Sequence, residues 1–359
     1  MSDLLSRLLD EREWLLADGA TGTNLFALGL QHGDSPELWN LEHPDRVRQH
    51  YRSFLDAGSD IILTNTFGGN RHRLKLHGGE DNVYEINKRA AELAREEADK
   101  LDRPVVVAGS MGPTGELFQP LGPLTPDDGE AAFAEQARGL AAGGVDVLWI
   151  ETISAVDELT ASVKGASSVG LPVTATLSFD TNGRTMMGVM PDQLAQLVHQ
   201  LTPRPAAYGG NCGVGASELI VALQNMTKAQ NPDDVLIAKS NCGIPEWAGD
   251  RIEYTGTPEL MADYARIALD SGARIIGGCC GTTPDHIRAM RASLESYAKG
   301  TAPPIEEVVE RLGEISYGAQ EQAASEQTGD LPTGEAAVAG GRRRRGRGAR
   351  RRDSDNDEG

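Results

Sequence analysis

The sequence predicts an α/β protein, a (β/α)8 TIM barrel followed by a disordered C-terminal tail. Eight short apolar runs recur at intervals of roughly 30 to 45 residues, and segments with helical periodicity separate them. A continuous apolar run is typical of a parallel strand that is buried on both faces. Eight such βα units in about 280 residues match the size of the barrel. A doubly wound sheet built from the same units is the alternative.

The apolar runs are rich in aliphatic and β-branched residues, which favour strands. They lie at residues 14–18, 60–67, 104–113, 145–152, 172–179, 206–212, 235–243 and 273–281. The clearest helical segments are 46–58, 131–144 and 258–272. Each of these segments ends in a glycine, which suits a helix C-cap. In the first, Val47, Tyr51 and Phe54 recur at the spacing of one helix face.

Composition divides the chain into three parts. Residues 1–303 form the predicted barrel, 304–316 include a short helix, and 317–359 form a disordered tail. The tail has few large apolar residues, so it cannot bury enough surface to offset the entropy lost on ordering. Eight of the 34 basic residues are arginines within 342–352, and they give the tail an arginine-rich segment.

The formal net charge is -19 at pH 7, and the barrel is more acidic still because the tail holds so many arginines. This acidity argues against nucleic-acid binding by the barrel. A weak contact of the arginine-rich tail with nucleic acid remains as an exception. The chain has no run of about 18 apolar residues, which predicts no membrane span. The N-terminus lacks the apolar stretch of a secretory signal, so we expect a cytoplasmic protein.

Three of the four cysteines fall where a barrel places catalytic groups, at the C-terminal ends of strands. Cys212 ends the sixth run, and Cys279 and Cys280 end the eighth. Thiolates suit zinc, and a catalytic zinc site commonly has three protein ligands and one open position. Neighbouring residues on a strand point to opposite faces. Flanking glycines, Gly278 and Gly281 among them, give the backbone the freedom that both cysteines need to reach one ion.

Other interpretations of the cysteines stay open. Cys242 is expected to be an inert buried residue. If it were a fourth ligand, the site would be a closed structural zinc in a protein without enzymatic activity. Cys279 and Cys280 would also fit a redox pair or two core cysteines.

Six motifs in this sequence resemble those of the homocysteine S-methyltransferase family. They are DGATGTNL (18–25), TNTFGGN (64–70), GSMGPTGE (109–116), ET (151–152), GGNCG (209–213) and GGCCGTTPDHI (277–287). The family includes betaine–homocysteine methyltransferases and the N-terminal module of cobalamin-dependent methionine synthase. The resemblance covers about residues 14–297, and the spacing of GGNC and GGCCG is highly specific.

The resemblance implies a zinc enzyme that transfers a methyl group to homocysteine and so forms methionine. By match to the motifs, Cys212, Cys279 and Cys280 are the expected zinc ligands and catalytic residues. The same resemblance implies that Asp18 and Glu151 line the homocysteine pocket, where either carboxylate would bind the ammonium group. Gly19 and Asn211 are further candidate substrate contacts, through a backbone amide and a side-chain amide.

The methyl donor is the open part of the prediction. Betaine is a quaternary ammonium ion and is best recognised by an aromatic cage. Aromatic residues make up only 5% of the chain, and Trp39, Phe67, Phe118 and Trp247 are the candidates. TNTFGGN is more similar to the methionine synthase module, which implies a methyl-corrinoid donor. The chain has no D-x-H-x-x-G motif, so a separate corrinoid protein would have to dock. S-methylmethionine is the third candidate.

Overall fold

The computed structural model describes residues 3–248 and 251–328. Eight parallel strands form one sheet in the order β1-β10-β7-β6-β5-β4-β3-β2. Their bounds are β1 Leu15–Leu16, β2 Ile61–Leu63, β3 Val106–Met111, β4 Val147–Ile153, β5 Val173–Leu177, β6 Ala207–Cys212, β7 Leu236–Ser240 and β10 Ala273–Gly278. A parallel bridge between Ala17 and Ile61 joins the two ends of the sheet. The predicted barrel is therefore confirmed, and each predicted strand has its counterpart.

A two-stranded antiparallel hairpin, which the sequence analysis did not predict, follows β7. It consists of β8 (Pro245–Ala248) and β9 (Arg251–Tyr254). Both strands have only four residues, and neither is a continuous apolar run. The hairpin leaves the barrel at the C-terminal end of β7 and returns the chain to that same end.

Helices surround the barrel and connect its strands. The α-helices are α1 Leu4–Glu11, α2 Gly22–Ala27, α3 Trp39–Glu42, α4 Pro44–Asp56, α5 Arg71–Leu74, α6 Val83–Ala98, α7 Pro126–Ala142, α8 Val156–Ser167, α9 Pro191–Gln200, α10 Ala216–Ala229, α11 Pro258–Asp270, α12 Pro284–Glu295, α13 Ile305–Leu312 and α14 Tyr317–Thr328. Short 3-10 helices lie at Pro36–Leu38, Lys75–His77 and Glu80–Asn82. The three predicted helical segments correspond to α4, α7 and α11.

Local capping chemistry sets where several of these helices begin. In α7 and α11 a threonine side chain, Thr125 or Thr257, accepts a hydrogen bond from the first turn, and a proline follows it. Proline suits the first helical position because that residue's N–H has no helical partner. These helix N-termini lie at one end of the barrel, and the loops that precede the helices lie at the same end.

The barrel interior is an apolar core that α1 closes from below. Interior residues such as Leu15, Val147 and Ile237 pack in one cluster with Leu5 and Leu8 of α1. A second cluster lies between the strands and the outer helices. Because α1 and these apolar side chains fill the N-terminal end of the barrel, polar functional groups are expected at its C-terminal end.

The structure corrects the predicted start of the disordered tail. The short helix is present as α13, but α14 then covers Tyr317–Thr328, a segment predicted to be disordered. Ala319 is fully buried against Val221 of α10, and Gln322 donates a hydrogen bond to the carbonyl oxygen of Gly183 at 2.7 Å. Small and polar residues can thus order a segment through neighbours that are distant in sequence. Residues 329–359, with the arginine-rich segment, lie outside the described residues.

None of the described helices combines the length and the apolar character that a membrane crossing requires.

Placing a charge at Ala319 tests the packing of α14. We expect Ala319→Glu to lower the free energy of unfolding by about 2 kcal/mol, because the new carboxylate would be buried without a partner. Urea unfolding measures the change. Gln320→Glu is the matched control, since residue 320 is exposed on the same helix. Equal free energies of unfolding for the two variants would show that the packing of α14 on α10 does not stabilise the protein in solution.

Candidate active site

The three cysteines predicted to act together lie together in the structure. Cys212 is the last residue of β6, and Cys279 and Cys280 directly follow β10. Their Sγ atoms all lie within 4.8 Å of one another, and those of Cys212 and Cys280 are 3.8 Å apart. The site therefore stands at the C-terminal mouth of the barrel, over strand β7, which separates β6 from β10.

The backbone leaves the strand conformation at each cysteine position. Cys212 has a φ of 60°, which is rare for a residue with a side chain. Beyond β10 the chain turns, with the amide of Thr282 donating to the carbonyl oxygen of Cys279 at 3.1 Å. Gly281 follows this pair with a φ of 78°. The turn is what allows two adjacent cysteines to face one point.

The geometry of the three sulfurs fits a tetrahedral metal ion. A tetrahedron with metal–sulfur bonds of about 2.3 Å has edges of about 3.8 Å, which matches the separation of Cys212 and Cys280. Among the described residues, this group of potential ligands does not include Cys242. The thiol of Cys242 is buried and donates to the carbonyl oxygen of Gly256 at 3.3 Å. The positions of the cysteines therefore do not form a closed site with four cysteine ligands.

Without a cation, the three thiols cannot all ionise. Hydrogen bonds from Cys212 and Cys279 lower the pKa of Cys280 well below its usual value. The hydrogen bonds with Cys279 and Cys280 raise the pKa of Cys212 well above its usual value, and burial adds to this shift. One sulfur is thus ionised at the expense of its neighbours, because a second negative charge so close is unfavourable. A bound divalent cation removes that penalty.

Tyr254, at the end of the unpredicted hairpin, also touches the cysteine cluster. Its hydroxyl group hydrogen-bonds the sulfur of Cys280. Its ring packs over Gly281, where a side-chain Cβ would lie only 2.3 Å from the ring. The hairpin therefore covers one side of the cluster.

Asn211 holds several parts of the site together. Its side-chain oxygen accepts from the amide of Thr152 at 2.8 Å and from the hydroxyl of Thr176 at 2.7 Å. Its side-chain nitrogen donates to the Thr152 hydroxyl at 2.8 Å and lies 3.8 Å from the sulfur of Cys279. Thr152 has a φ of 64°, and these two bonds stabilise that unusual conformation.

Asp18 and Lys239 form a buried ion pair below the cysteines. The Lys239 Nζ atom lies 2.8 Å from Asp18 Oδ1, and each side chain is 1% exposed. The other oxygen of Asp18 accepts from the amide of Leu63 at 2.7 Å. Burial raises the pKa of Asp18, and the charge and hydrogen bond of Lys239 oppose that rise. The sequence analysis missed Lys239, although a lysine inside the apolar run 235–243 was a visible signal.

Glu151 lies near this pair, on β4. The hydroxyl of Ser110 donates to its carboxylate. Burial raises the pKa of Glu151 to about 7, and the charge of Lys239 opposes the rise. At Gly19 the backbone lies close to the backbone of Thr282, since a Cβ at residue 19 would be 2.7 Å from the carbonyl oxygen of Thr282. The candidate substrate contacts thus surround the mouth of the barrel below and beside the sulfurs.

The model of the family described as Homocysteine S-methyltransferase matches residues 15–294, which is most of the chain. The chain belongs to the homocysteine S-methyltransferase family. This membership confirms the resemblance drawn from the motifs.

Named relatives and solved structures agree with this membership. The chain is 31% identical to the methionine synthase of Mycobacterium leprae over 320 residues and 31% identical to that of Mycobacterium tuberculosis over 316 residues. These alignments cover 84% and 83% of this chain but 26% of each relative, so the chain spans about a quarter of their length. The homocysteine methyltransferase MmuM from Escherichia coli has the same fold, with a TM-score of 0.69 for its oxidized form and 0.67 for its metallated form. Both are 24% identical; the alignments cover 81% and 80% of this chain and 99% of each MmuM chain.

For this homocysteine S-methyltransferase family member, the structure locates the aromatic residues considered for a cage. Trp39 and Phe118 are buried, 4% and 6% exposed, and Phe118 packs with Leu124 and Ala161. Phe67 is 37% exposed and follows β2 at the C-terminal end of the barrel. The side chain of Trp247 lies outside the described part of the chain. No cage is therefore visible among the described residues of this set.

Glu151→Gln tests the burial of the site carboxylate through pH. An unfolded chain ionises this group near pH 4.5, whereas the folded protein keeps the proton until about pH 7. The metal-free wild type therefore loses up to about 3 kcal/mol of stability as pH rises through this interval, and the variant does not. Urea unfolding of the reduced, metal-free proteins measures the difference. Parallel pH–stability curves would contradict the burial of an ionisable Glu151.

Proposed function

We propose that this protein is a zinc-dependent homocysteine S-methyltransferase that forms methionine and takes its methyl group from a methyl-corrinoid on a separate protein. The observation that carries the proposal is the group of three cysteine sulfurs within 4.8 Å of one another, of which those of Cys212 and Cys280 are 3.8 Å apart. Family membership over residues 15–294 supports the substrate class. A reducing cytoplasm suits three free thiols, and we propose that compartment for the protein.

Cys212, Cys279 and Cys280 would hold a zinc ion, which would lower the pKa of the homocysteine thiol and so supply a thiolate at neutral pH. The three negative charges of these cysteines would exceed the charge of the ion, so the substrate sulfur would stay rich in electrons. An electron pair of that sulfur would form the new S–C bond, the donor would keep the electron pair of the bond that breaks, and the thiol proton would leave to solvent. A three-cysteine ligand set suits a nucleophile, because three neutral histidines would leave the full charge of the ion to withdraw electrons.

The chain's own residues position the amino acid. We assign Glu151 to the ammonium group of homocysteine, because its carboxylate is buried beside the cluster and accepts only one strong hydrogen bond among those described, from Ser110. Asn211 is assigned to hold Cys279 and Thr152, which lies near the C-terminal end of β4. Because Gly19 has no side chain, its backbone can pack closely at this end of the barrel and lie near the pocket. Holding the sulfur, the carboxylate and the backbone in one geometry supplies the orientation that methyl transfer needs.

The mouth of the barrel supports a protein as the methyl carrier. Exposed apolar side chains lie in the segments, loops or the first helical turns, that follow five different strands. They are Phe26, Phe67, Leu117, Leu121, Met186, Met187 and Ile244. Apolar groups concentrated on one rim are typical of a docking surface. The methionine synthase relatives are about four times longer than the aligned part, which leaves room for a carrier elsewhere in those chains.

Betaine is the second candidate donor. Phe67 is the one member of the predicted aromatic set, among those whose side chains are described, that is exposed at the barrel mouth. A single ring makes a weak site for a quaternary ammonium ion. S-methylmethionine is a third candidate, since its sulfonium needs no carrier protein.

Serine variants of the cysteines test the metal site. We expect purified wild type to hold about one zinc per chain, and Cys212→Ser or Cys280→Ser to lose most of it, because a hydroxyl is a poor zinc ligand. Elemental analysis measures the content. Cys242→Ser is the matched control and should keep its zinc. Loss of zinc in the control as well would instead support a closed four-cysteine site.

A donor assay tests the second half of the proposal. Zinc-loaded protein and homocysteine would be incubated with free methylcobalamin, with betaine or with S-methylmethionine, and methionine would be measured. We expect methionine with methylcobalamin, at a low rate without the carrier, and none with the other two donors. Dimethylglycine formed in step with methionine would overturn the corrinoid proposal in favour of betaine.

A further inference from the structure

Lys239 is an ammonium group buried in the barrel interior. It lies on β7, opposite Asn211 on one neighbouring strand and Gly277 on the other. Its side chain is 1% exposed. Burying an isolated charge is costly, so such a lysine persists only where partners compensate it. Lys239 lies one residue below the level of Cys212 in the ladder between β6 and β7, and its charge interacts with Cys279 of the cysteine cluster.

The surroundings of Lys239 are arranged to keep the ammonium in one place. Nζ donates to Asp18 Oδ1 at 2.8 Å and lies 5.8 Å from the centre of the Trp149 ring. Gly277 leaves room for the stem of the lysine, since a Cβ at that position would lie 3.1 Å from Lys239 Cγ. A longer side chain at 277 would displace the lysine.

Three acidic groups share this one cation. Burial alone lowers the pKa of Lys239, but the negative charges of Asp18 and Glu151, the hydrogen bond to Asp18 and the charge of Cys279 together raise it. The group therefore stays charged in the folded protein. Lys239 thus interacts electrostatically with both site carboxylates, Asp18 and Glu151, and with Cys279 of the cysteine cluster.

We propose that Lys239 is a positioning residue for homocysteine, which fixes Asp18 and leaves Glu151 to bind the ammonium group of the amino acid. The proposal rests on the proposed function of the same site. With Lys239 in place, each oxygen of Asp18 already has a partner, Nζ or the amide of Leu63. Asp18 then acts as the anchor of the lysine and Glu151 acts as the substrate contact.

The same cation offsets the negative charge that the site accumulates. Three thiolates around a bound Zn²⁺ would carry a formal charge of -1, and the homocysteine thiolate would add another. Asp18 and Glu151 lie within the same low-dielectric interior, where such charges repel more strongly than in water. Lys239 is therefore expected to aid both retention of the ion and binding of the substrate.

Equilibrium binding of homocysteine to the zinc-loaded full chain, measured by calorimetry at equal zinc content, tests the proposal. We expect Lys239→Met to raise the Kd for homocysteine about tenfold or more and to weaken zinc in competition with a chelator. Under turnover, KM for homocysteine should rise far more than kcat falls. Lys100→Met is the matched control, since the exposed Lys100 pairs with Glu97 away from the cysteine cluster and its loss should leave the Kd unchanged.

A double-variant cycle keeps the test valid if Lys239→Met folds poorly. Lys239→Met/Asp18→Asn removes both charges of the pair and should fold. Its Kd should be no more than about threefold above that of the weaker-binding single variant, because residues that act as one unit are not additive. An unchanged Kd in a folded, zinc-loaded Lys239 variant, or fully additive effects, would overturn the proposal. Failure of wild type itself to bind homocysteine would instead refute the proposed function.

Discussion

The register of three neighbouring strands is the constraint on which the candidate site depends. Cys212 on β6 and Gly278 on β10 both pair with the same residue, Ser240 of β7. The C-terminal ends of strands β6 and β10 are therefore level with each other, although 66 positions of sequence separate Cys212 from Gly278. Neighbouring strands lie about 4.8 Å apart, so sulfurs that lean over β7 from both sides can meet. A shift of one residue in either ladder would point a cysteine away.

Charge pairing inside the barrel is the second constraint. A parallel barrel normally fills its interior with branched apolar residues, and here Lys239, Asp18 and Glu151 lie at its upper end. Each of these groups would be unfavourable alone. Together they form a polar layer between the apolar core, which α1 closes from below, and the sulfurs at the mouth. The packed core beneath gives this layer a rigid support.

Backbone conformations that are costly elsewhere are concentrated at this end of the barrel. Cys212 and Thr152 both have a positive φ, and the side chain of Asn211 bonds to Thr152 and approaches Cys279. A residue with a side chain adopts such a conformation only where its surroundings hold it. Here the holding group is the side-chain amide of Asn211, so the conformation of Thr152 and the position of the Cys279 sulfur are linked.

The sequence by itself determined the eight βα units and the three cysteines at the ends of the sixth and eighth runs, because strand and helix periods are local patterns. It also determined the helical segment 258–272, which begins at Pro258 as α11 does. Only the tertiary structure decided that Lys239 pairs with Asp18, 221 positions away, that Tyr254 reaches Cys280, and that α14 packs on α10. These contacts join side chains through the closure of the barrel and the packing of its outer layer. No local period encodes such distances, so the partners of a buried charge can be known only once the chain has folded.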